Sequence, residues 1–348
     1  MEFFPKYFDA RTLFSPNEKY SNHRIPGMIV TSSGTLLVYC EARQTASDWA
    51  MMDILLWRST DHGETFSAPL ILASGTEAHP TVNNPVMMQD KNGRIHLLYC
   101  EDYTVGGGRA LHICSDDDGI SWSTPSDVTK YTAPHSHNAF AFGPGHGIMC
   151  GDGTLLSPVW MIPKRFNAPL TSHSPSVLST FYSRDNGETW QLGEILETNS
   201  EILCPTETVA ALTSDGKVYL NIRHQGFCRA KAYSENGYSG WSEYAPDYSL
   251  PDPRCFGSVA AYNDGKNPYS LIFVNCNGNK HRKNVCVRVS VDDGHTFPVC
   301  KVIDAERGGY CEVAVDNSLG LIYILYEDKY GETDHFVRMS YDWIVDGN

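Results

Sequence analysis

Residues 183–190 read Ser-Arg-Asp-Asn-Gly-Glu-Thr-Trp. An Asp two residues before a Gly is the chemistry of a tight turn. The carboxylate accepts backbone N–H groups of its own turn, and the Gly takes a left-handed bend that a Cβ disfavours. The closing aromatic can pack between neighbouring elements. One copy is an ordinary hairpin turn, but the octet recurs at Ser59–Phe66 and Ser290–Phe297, and at Ser115–Trp122 with Ser121 for the Thr. The gaps are 56, 68 and 107 residues, the last close to two units, and a degenerate Ser-Glu-Asn-Gly at Ser234–Gly237 falls inside it.

Outward from these turns a second repeat interleaves. An apolar run, a Gly turn and another apolar run recur around Gly34, Gly93, Gly153, Gly216, Gly265 and Gly320, at intervals of 59, 60, 63, 49 and 55 residues. Each hairpin carries Asp, Asn or Ser in its turn, residues that tolerate positive φ. Six hairpins leave about 58 residues per unit, room for four strands. The reading is an all-β, six-bladed β-propeller, with residues 1–348 as one catalytic domain. A β-sandwich is the structural rival, but it does not explain the even spacing.

Composition bounds the partners. The net charge of −14 excludes a nucleic-acid binder and an anionic-membrane binder, each of which needs a basic face. A small anion held by a local arginine cluster remains allowed. Eleven cysteines without a CxxC pair, scattered through apolar runs, read as buried free thiols of a reducing compartment. The start Met-Glu-Phe-Phe-Pro-Lys shows no secretory signal, and no apolar run has transmembrane length, so the expectation is a cytoplasmic protein with no membrane span. Gly106–Gly108 lacks the Lys and helix of a phosphate loop and reads as a mobile loop. His135 and His137 lack a ligand partner at metal spacing, so neither cofactor nor metal is expected. Nothing in the sequence assigns an oligomeric state.

In a propeller the first two strands of each blade lie nearest the axis. With the six Gly turns on one rim, the open ends of those hairpins gather at the opposite mouth. Blade one brings Arg24, Arg43 and Asp48; blade two the His79–Asn84 stretch and Glu101–Asp102; blade three Trp160. Blade four brings Glu207 and Arg223, blade six Tyr310 and Glu327, and Arg282 precedes the Asn284–Ser290 strand. Singly, each is as well read as a rim salt bridge. Jointly, arginines from different blades suit a carboxylate, whose two oxygens match the guanidinium fork.

These residues resemble the exo-α-sialidase family with its Asp-box (BNR) repeats, from about Arg24 to Glu327. Arg24-Ile25-Pro26 is similar to the signature of the first arginine of that family's carboxylate triad, Arg223 to the second and Arg282 to the third. Glu41-Ala42-Arg43 followed by Asp48 resembles its Glu-x-Arg segment and acid/base Asp. Glu207 is similar to the partner of the nucleophile, Tyr310 to the nucleophile, and Glu327 to the group that orients the first arginine. Asn84-Pro85 and Gly143–Gly147 resemble further family segments. The chain departs at Cys311-Glu312, at Pro205-Thr206 and at Trp49–Met52, the last bearing on substrate identity.

The resemblance implies a retaining exo-α-sialidase acting, without cofactor, on a small-molecule or glycan substrate with an anomeric carboxylate. That charge repels a carboxylate nucleophile, whereas tyrosine is neutral until Glu207 withdraws its proton. Sialidases with a tyrosine nucleophile depart from the two-carboxylate rule of most glycosidases. Asp48 would protonate the leaving oxygen and then deprotonate water, with a pKa raised by apolar neighbours such as Trp49. Rival readings are hydrolysis of a related 2-keto-3-deoxy sugar acid, such as deaminated neuraminic acid, and a non-catalytic sialic-acid-binding propeller. Transfer or intramolecular release in place of hydrolysis is a third.

Overall fold

Each repeat folds into one antiparallel sheet. The computed structural model describes residues 7–102, 108–133, 137–167, 173–328 and 330–346. After β1 (Phe8–Phe14), blade one runs β2 (Asn22–Val30), β3 (Leu36–Arg43), β4 (Met52–Ser59) and β5 (Leu70–Ser74). Blade two follows with β6 (Val82–Gln89), β7 (Ile95–Glu101), β8 (Arg109–Ser115) and β9 (Ser126–Asp127). Blade three holds β10 (His137–Phe142), β11 (Gly145–His146), β12 (Ile148–Met149), β13 (Leu155–Pro163), β14 (Val177–Ser183) and β15 (Gln191–Leu192). Blade four is β16 (Thr208–Leu212), β17 (Val218–Ile222), β18 (Cys228–Ser234) and β19 (Ser242–Pro251). Blade five is β20 (Ser258–Tyr262), β21 (Ser270–Cys276), β22 (Val285–Ser290) and β23 (Val299–Asp304). Blade six is β24 (Cys311–Asp316), β25 (Leu321–Asp328) and β26 (Thr333–Ser340), followed by α1 (Tyr341–Val345).

Blade six is completed by β1, which pairs antiparallel with β26 from Phe8 opposite Met339 to Phe14 opposite Asp334. The N-terminal strand therefore closes the ring. Across the same junction Arg338 of β26 donates to the His62 carbonyl at 2.9 Å and to Glu64 at 2.5 Å.

First strands of successive blades lie against one another around the axis, as β2 does with β24 and β6, and β20 with β16 and β24. The radial position sets the composition. β3 is buried along its whole length, whereas β5, at the outer edge of the same sheet, is largely exposed. The hydrophobic core accordingly lies in layers between blades, as where Leu37 and Tyr39 of blade one meet Met87 and Leu97 of blade two.

Blade three departs from the simple hairpin expected around Gly153. Its innermost strand is split into β10 and β12, both paired with β13. Between them β11 leaves the sheet and runs parallel to β6 of blade two. Gly145, at φ +92, makes that excursion possible; a Cβ there would collide with Glu312.

The repeated octets carry one hydrogen-bond pattern. The Asp61 carboxylate accepts the Thr65 N–H at 2.9 Å, the Thr65 hydroxyl at 2.6 Å and the Ser59 hydroxyl at 2.7 Å. Asp117, Asp185 and Asp292 repeat it. The degenerate copy is a working fifth: Asn236 accepts from the Tyr238 and Ser239 N–H groups. The closing aromatics pack inward, Trp190 at 1% exposure and Phe297 at 4%. No helix among the described residues is long and apolar enough to cross a membrane.

Candidate active site

The mouth formed by the hairpin ends holds a pocket of about 220 Å³. Arg24, Arg43, Asp48, Asn84, Trp160, Glu207, Arg223, Arg282 and Tyr310 all line it. Residues from five blades and one connecting segment thus converge on one cavity.

Tyr310 stands immediately before β24, with its side chain buried. Its hydroxyl donates to Glu207, and the backbone N–H donates to Glu327 at 3.2 Å. Arg223 donates to the other oxygen of Glu207 and, at 2.9 Å, to the Tyr310 hydroxyl. The guanidinium carbons of Arg24, Arg282 and Arg223 lie 5.0, 5.3 and 5.9 Å from the centre of the phenol ring. Burial and Glu207 push this phenol above its ordinary range, while the three arginines pull against them. Glu207 is pushed upward by burial, but Arg223, the tyrosine hydrogen bond and Arg282 outweigh it and hold the carboxyl below its usual value. Glu207 is therefore the ionised member of the pair.

Glu327 does not reach the pocket. It is fully buried behind Arg24, whose Nε donates to it at 2.9 Å, as does the Ile25 N–H at 2.9 Å. It fixes the arginine and the tyrosine backbone together, so its contact with a bound molecule is indirect. Arg43 behaves differently from the three arginines around Tyr310. Its guanidinium is held by the buried Glu41 at 2.5 and 2.9 Å and by Asp48 at 2.6 Å.

Asp48 presents a half-exposed carboxylate. The expected upward shift is not what the structure shows. Burial pushes the group up, but Arg43, through charge and hydrogen bond, then Arg24 and His173, bring it below its ordinary value. Trp49, the apolar neighbour expected to raise it, is itself 36% exposed. Asn84 sits at φ +52; its N–H donates to Glu41 at 2.7 Å and its side chain to the Phe142 carbonyl at 3.2 Å. Arg254, the rival for the third arginine, lies instead over the Phe227 ring at 4.6 Å and does not line the pocket.

Sequence reasoning missed two polar wall residues, His173 and Gln225, whereas Asn83 falls in the His79–Asn84 stretch and Thr206 in the Pro205-Thr206 departure. Gln225 follows a strand end already singled out, so its neighbour Arg223 signalled it. His173 lies on the long connection between β13 and β14, where no repeat marks a position. Gly106, Gly107 and His135 lie outside the described residues. His137 meets Thr132 at 3.0 Å. Among the described residues, His79, Glu101 and Asp102 bring ligating atoms within 4.8 Å of one another. Arg109 already donates twice to Glu101 there, at 2.5 and 2.8 Å, which opposes a cation.

Residues 68–342 match the BNR repeat-like domain family. An exo-alpha-sialidase of Arthroderma benhamiae is 28% identical over 94% of this chain and 85% of its own length. A sialidase of Bacteroides fragilis is 29% identical over 86% of this chain, which spans 59% of that protein. Among solved structures, the Hadza microbial sialidase Hz136 superposes with a TM-score of 0.83 at 26% identity, covering 94% of this chain and 67% of that one.

Proposed function

The chain belongs to the BNR repeat-like domain family, with sialidases among its relatives, and on that footing we propose that it is a glycoside hydrolase releasing a terminal α-linked sialic acid with net retention. The propeller is the catalytic unit. Arg24, Arg223 and Arg282 bind the substrate carboxylate, each fork supplying parallel N–H donors. The Tyr310 oxygen attacks the anomeric carbon while its proton passes to Glu207, and Asp48 protonates the departing glycosidic oxygen. Water then enters, gives its proton to Asp48 and displaces Tyr310, whose phenolate recovers the proton from Glu207.

The low position of Asp48 beside Arg43 and Arg24 fits a substrate-triggered acid. A bound carboxylate adds negative charge beside Arg24 and excludes water. Both changes raise Asp48 towards the protonated form that must act first.

The observation that carries the proposal is the Tyr310–Glu207 hydrogen bond inside a ring of three guanidiniums. Replacing Tyr310→Phe removes the attacking oxygen with little change in shape. Turnover of an aryl α-sialoside is expected to fall by about a thousandfold or more, with melting unchanged. Ordinary turnover by a folded Tyr310→Phe enzyme would overturn the assignment. Parallel aryl glycosides of N-acetylneuraminic acid and its deaminated analogue identify the preferred sugar.

A further inference from the structure

Blade five carries a pair of thiols, neither of which lines the pocket. Cys286 of β22 and Cys300 of β23 stand on one face of the sheet, since Cys286 pairs with Val302 and Cys300 with Arg288. They are diagonal neighbours on adjacent antiparallel strands. Cys286 is fully buried, whereas Cys300 is exposed, alone in that among the eleven cysteines. The two thiols hydrogen-bond to each other. That bond draws Cys300 below its ordinary value, desolvation opposes it, and the Arg288 charge adds to the pull. Thiolate character, exposure and a second thiol within reach together make a cysteine oxidisable.

Cys286 is also tied to the mouth of the propeller. Its thiol contacts the Asn284 Oδ1 at 3.9 Å. Asn284 and Asn277 close the connection between β21 and β22. The Asn277 N–H donates to the Asn284 carbonyl at 2.8 Å, and the Asn284 side-chain amide to the Asn277 carbonyl at 3.0 Å. Arg288, opposite Cys300, donates to the Asn277 Oδ1 at 3.0 Å. This closed loop carries Arg282 into the pocket. β23 is the edge strand of its sheet, and its register with β22 shifts beside Cys286, which leaves it free to approach. Diagonal neighbours lie about 7 Å apart and a disulfide needs Cα atoms within about 7 Å, so a small approach suffices.

We propose that Cys286 and Cys300 form a redox modification site: hydrogen peroxide converts them to a disulfide, which weakens substrate binding by loosening the loop that carries Arg282. The Cys300 thiolate attacks one peroxide oxygen, the O–O bond breaks, and hydroxide leaves to take up the proton that Cys300 had shed. The Cys286 sulfur attacks the resulting sulfenic acid, the S–O bond breaks, and water departs with the Cys286 proton. Two electrons have then passed from the sulfurs to the peroxide, and two waters are released. Cys286 no longer has a proton to offer Asn284. The covalent step is independent of the glycosidase reading above, whereas its effect on binding rests on that reading.

The test treats the whole protein with hydrogen peroxide, blocks remaining thiols and maps tryptic peptides by mass. Cleavage after Arg288 separates the two cysteines, so the disulfide joins peptides 284–288 and 289–301. The joined peptides are expected in wild type, are lost again with dithiothreitol, and do not form in Cys300→Ser. On an aryl α-sialoside, oxidised wild type is expected to show KM raised about threefold or more with kcat nearly kept. Dithiothreitol restores it, and peroxide leaves Cys300→Ser unchanged. A Cys300 that stays free, or that oxidises without joining Cys286, overturns the site. A joined pair with KM unmoved overturns the coupling to Arg282. If wild type cleaves no sialoside, the glycosidase reading falls and the effect on binding with it, while the peptide map still decides the disulfide.

Discussion

Burial and Glu207 push the Tyr310 phenol up while Arg223, Arg282 and Arg24 draw it down, so the nucleophile keeps its proton until a base takes it. The nearest base is already hydrogen-bonded and ionised. Asp48 has the opposite task, since it must be protonated to act first. Activity should therefore fall as pH rises through the Asp48 pKa. Burial pushes Asp48 up, and His173, after Arg43 and Arg24, is one of the groups drawing it down. Replacing His173→Gln removes that pull, so Asp48 titrates higher and the alkaline limb of the kcat/KM profile moves to higher pH. A limb that stays in place or moves down in a pH-rate series counts against Asp48 as the acid. At this scale Arg24, Glu207 and Tyr310 were legible because charged or phenolic groups are costly at apolar strand ends and so stand out. His173 was not, because it sits on the long connection between β13 and β14, and only the folded ring brings it to the pocket beside Asp48.

The Asp boxes are elements that the sequence specifies locally. Each uses contacts within eight residues, so spacing alone defines them. Asp61 is held down to about 2 by the Thr65 side chain and N–H, with the Ser59 hydroxyl adding to them. Because the folded value lies below the ordinary aspartate value of about 3.9, its contribution to stability is present above pH 4 and is lost as pH falls towards 2. Asp61→Asn should cost about 1 kcal/mol at neutral pH. Its thermal stability should also fall less steeply than that of wild type between pH 4 and 2, which calorimetry across that range measures. The split inner strand of blade three was not legible. β10 and β12 share one partner, but whether β11 between them pairs at home or with blade two depends on Gly145 and on how close Glu312 stands.

Ring closure is a property of the whole molecule. The outer strand of blade six comes from the other end of the chain, and Arg338 ties that blade to the first Asp box. Blade six also reaches across the ring, where buried Glu312 of β24 pairs with His146 of β11 at 2.5 Å. Burial raises the Glu312 pKa, and His146 draws it back. His146→Ala leaves this acid without its partner and should cost about 3–5 kcal/mol in urea unfolding, with Glu312→Gln milder. Equal stability of His146→Ala and wild type would show that the pair does not tie the ring. The sequence by itself determined the six-fold repeat, the turn boxes and the residue types at each strand end, because these rest on near-neighbour chemistry and on burial periodicity. Folding of the whole ring settled the rest: that Glu327 holds Arg24 without itself lining the pocket, that Arg43 draws Asp48 down, and that His173 comes to the wall beside Asp48. Each depends on distances between blades, which closure of the ring sets and no local spacing records.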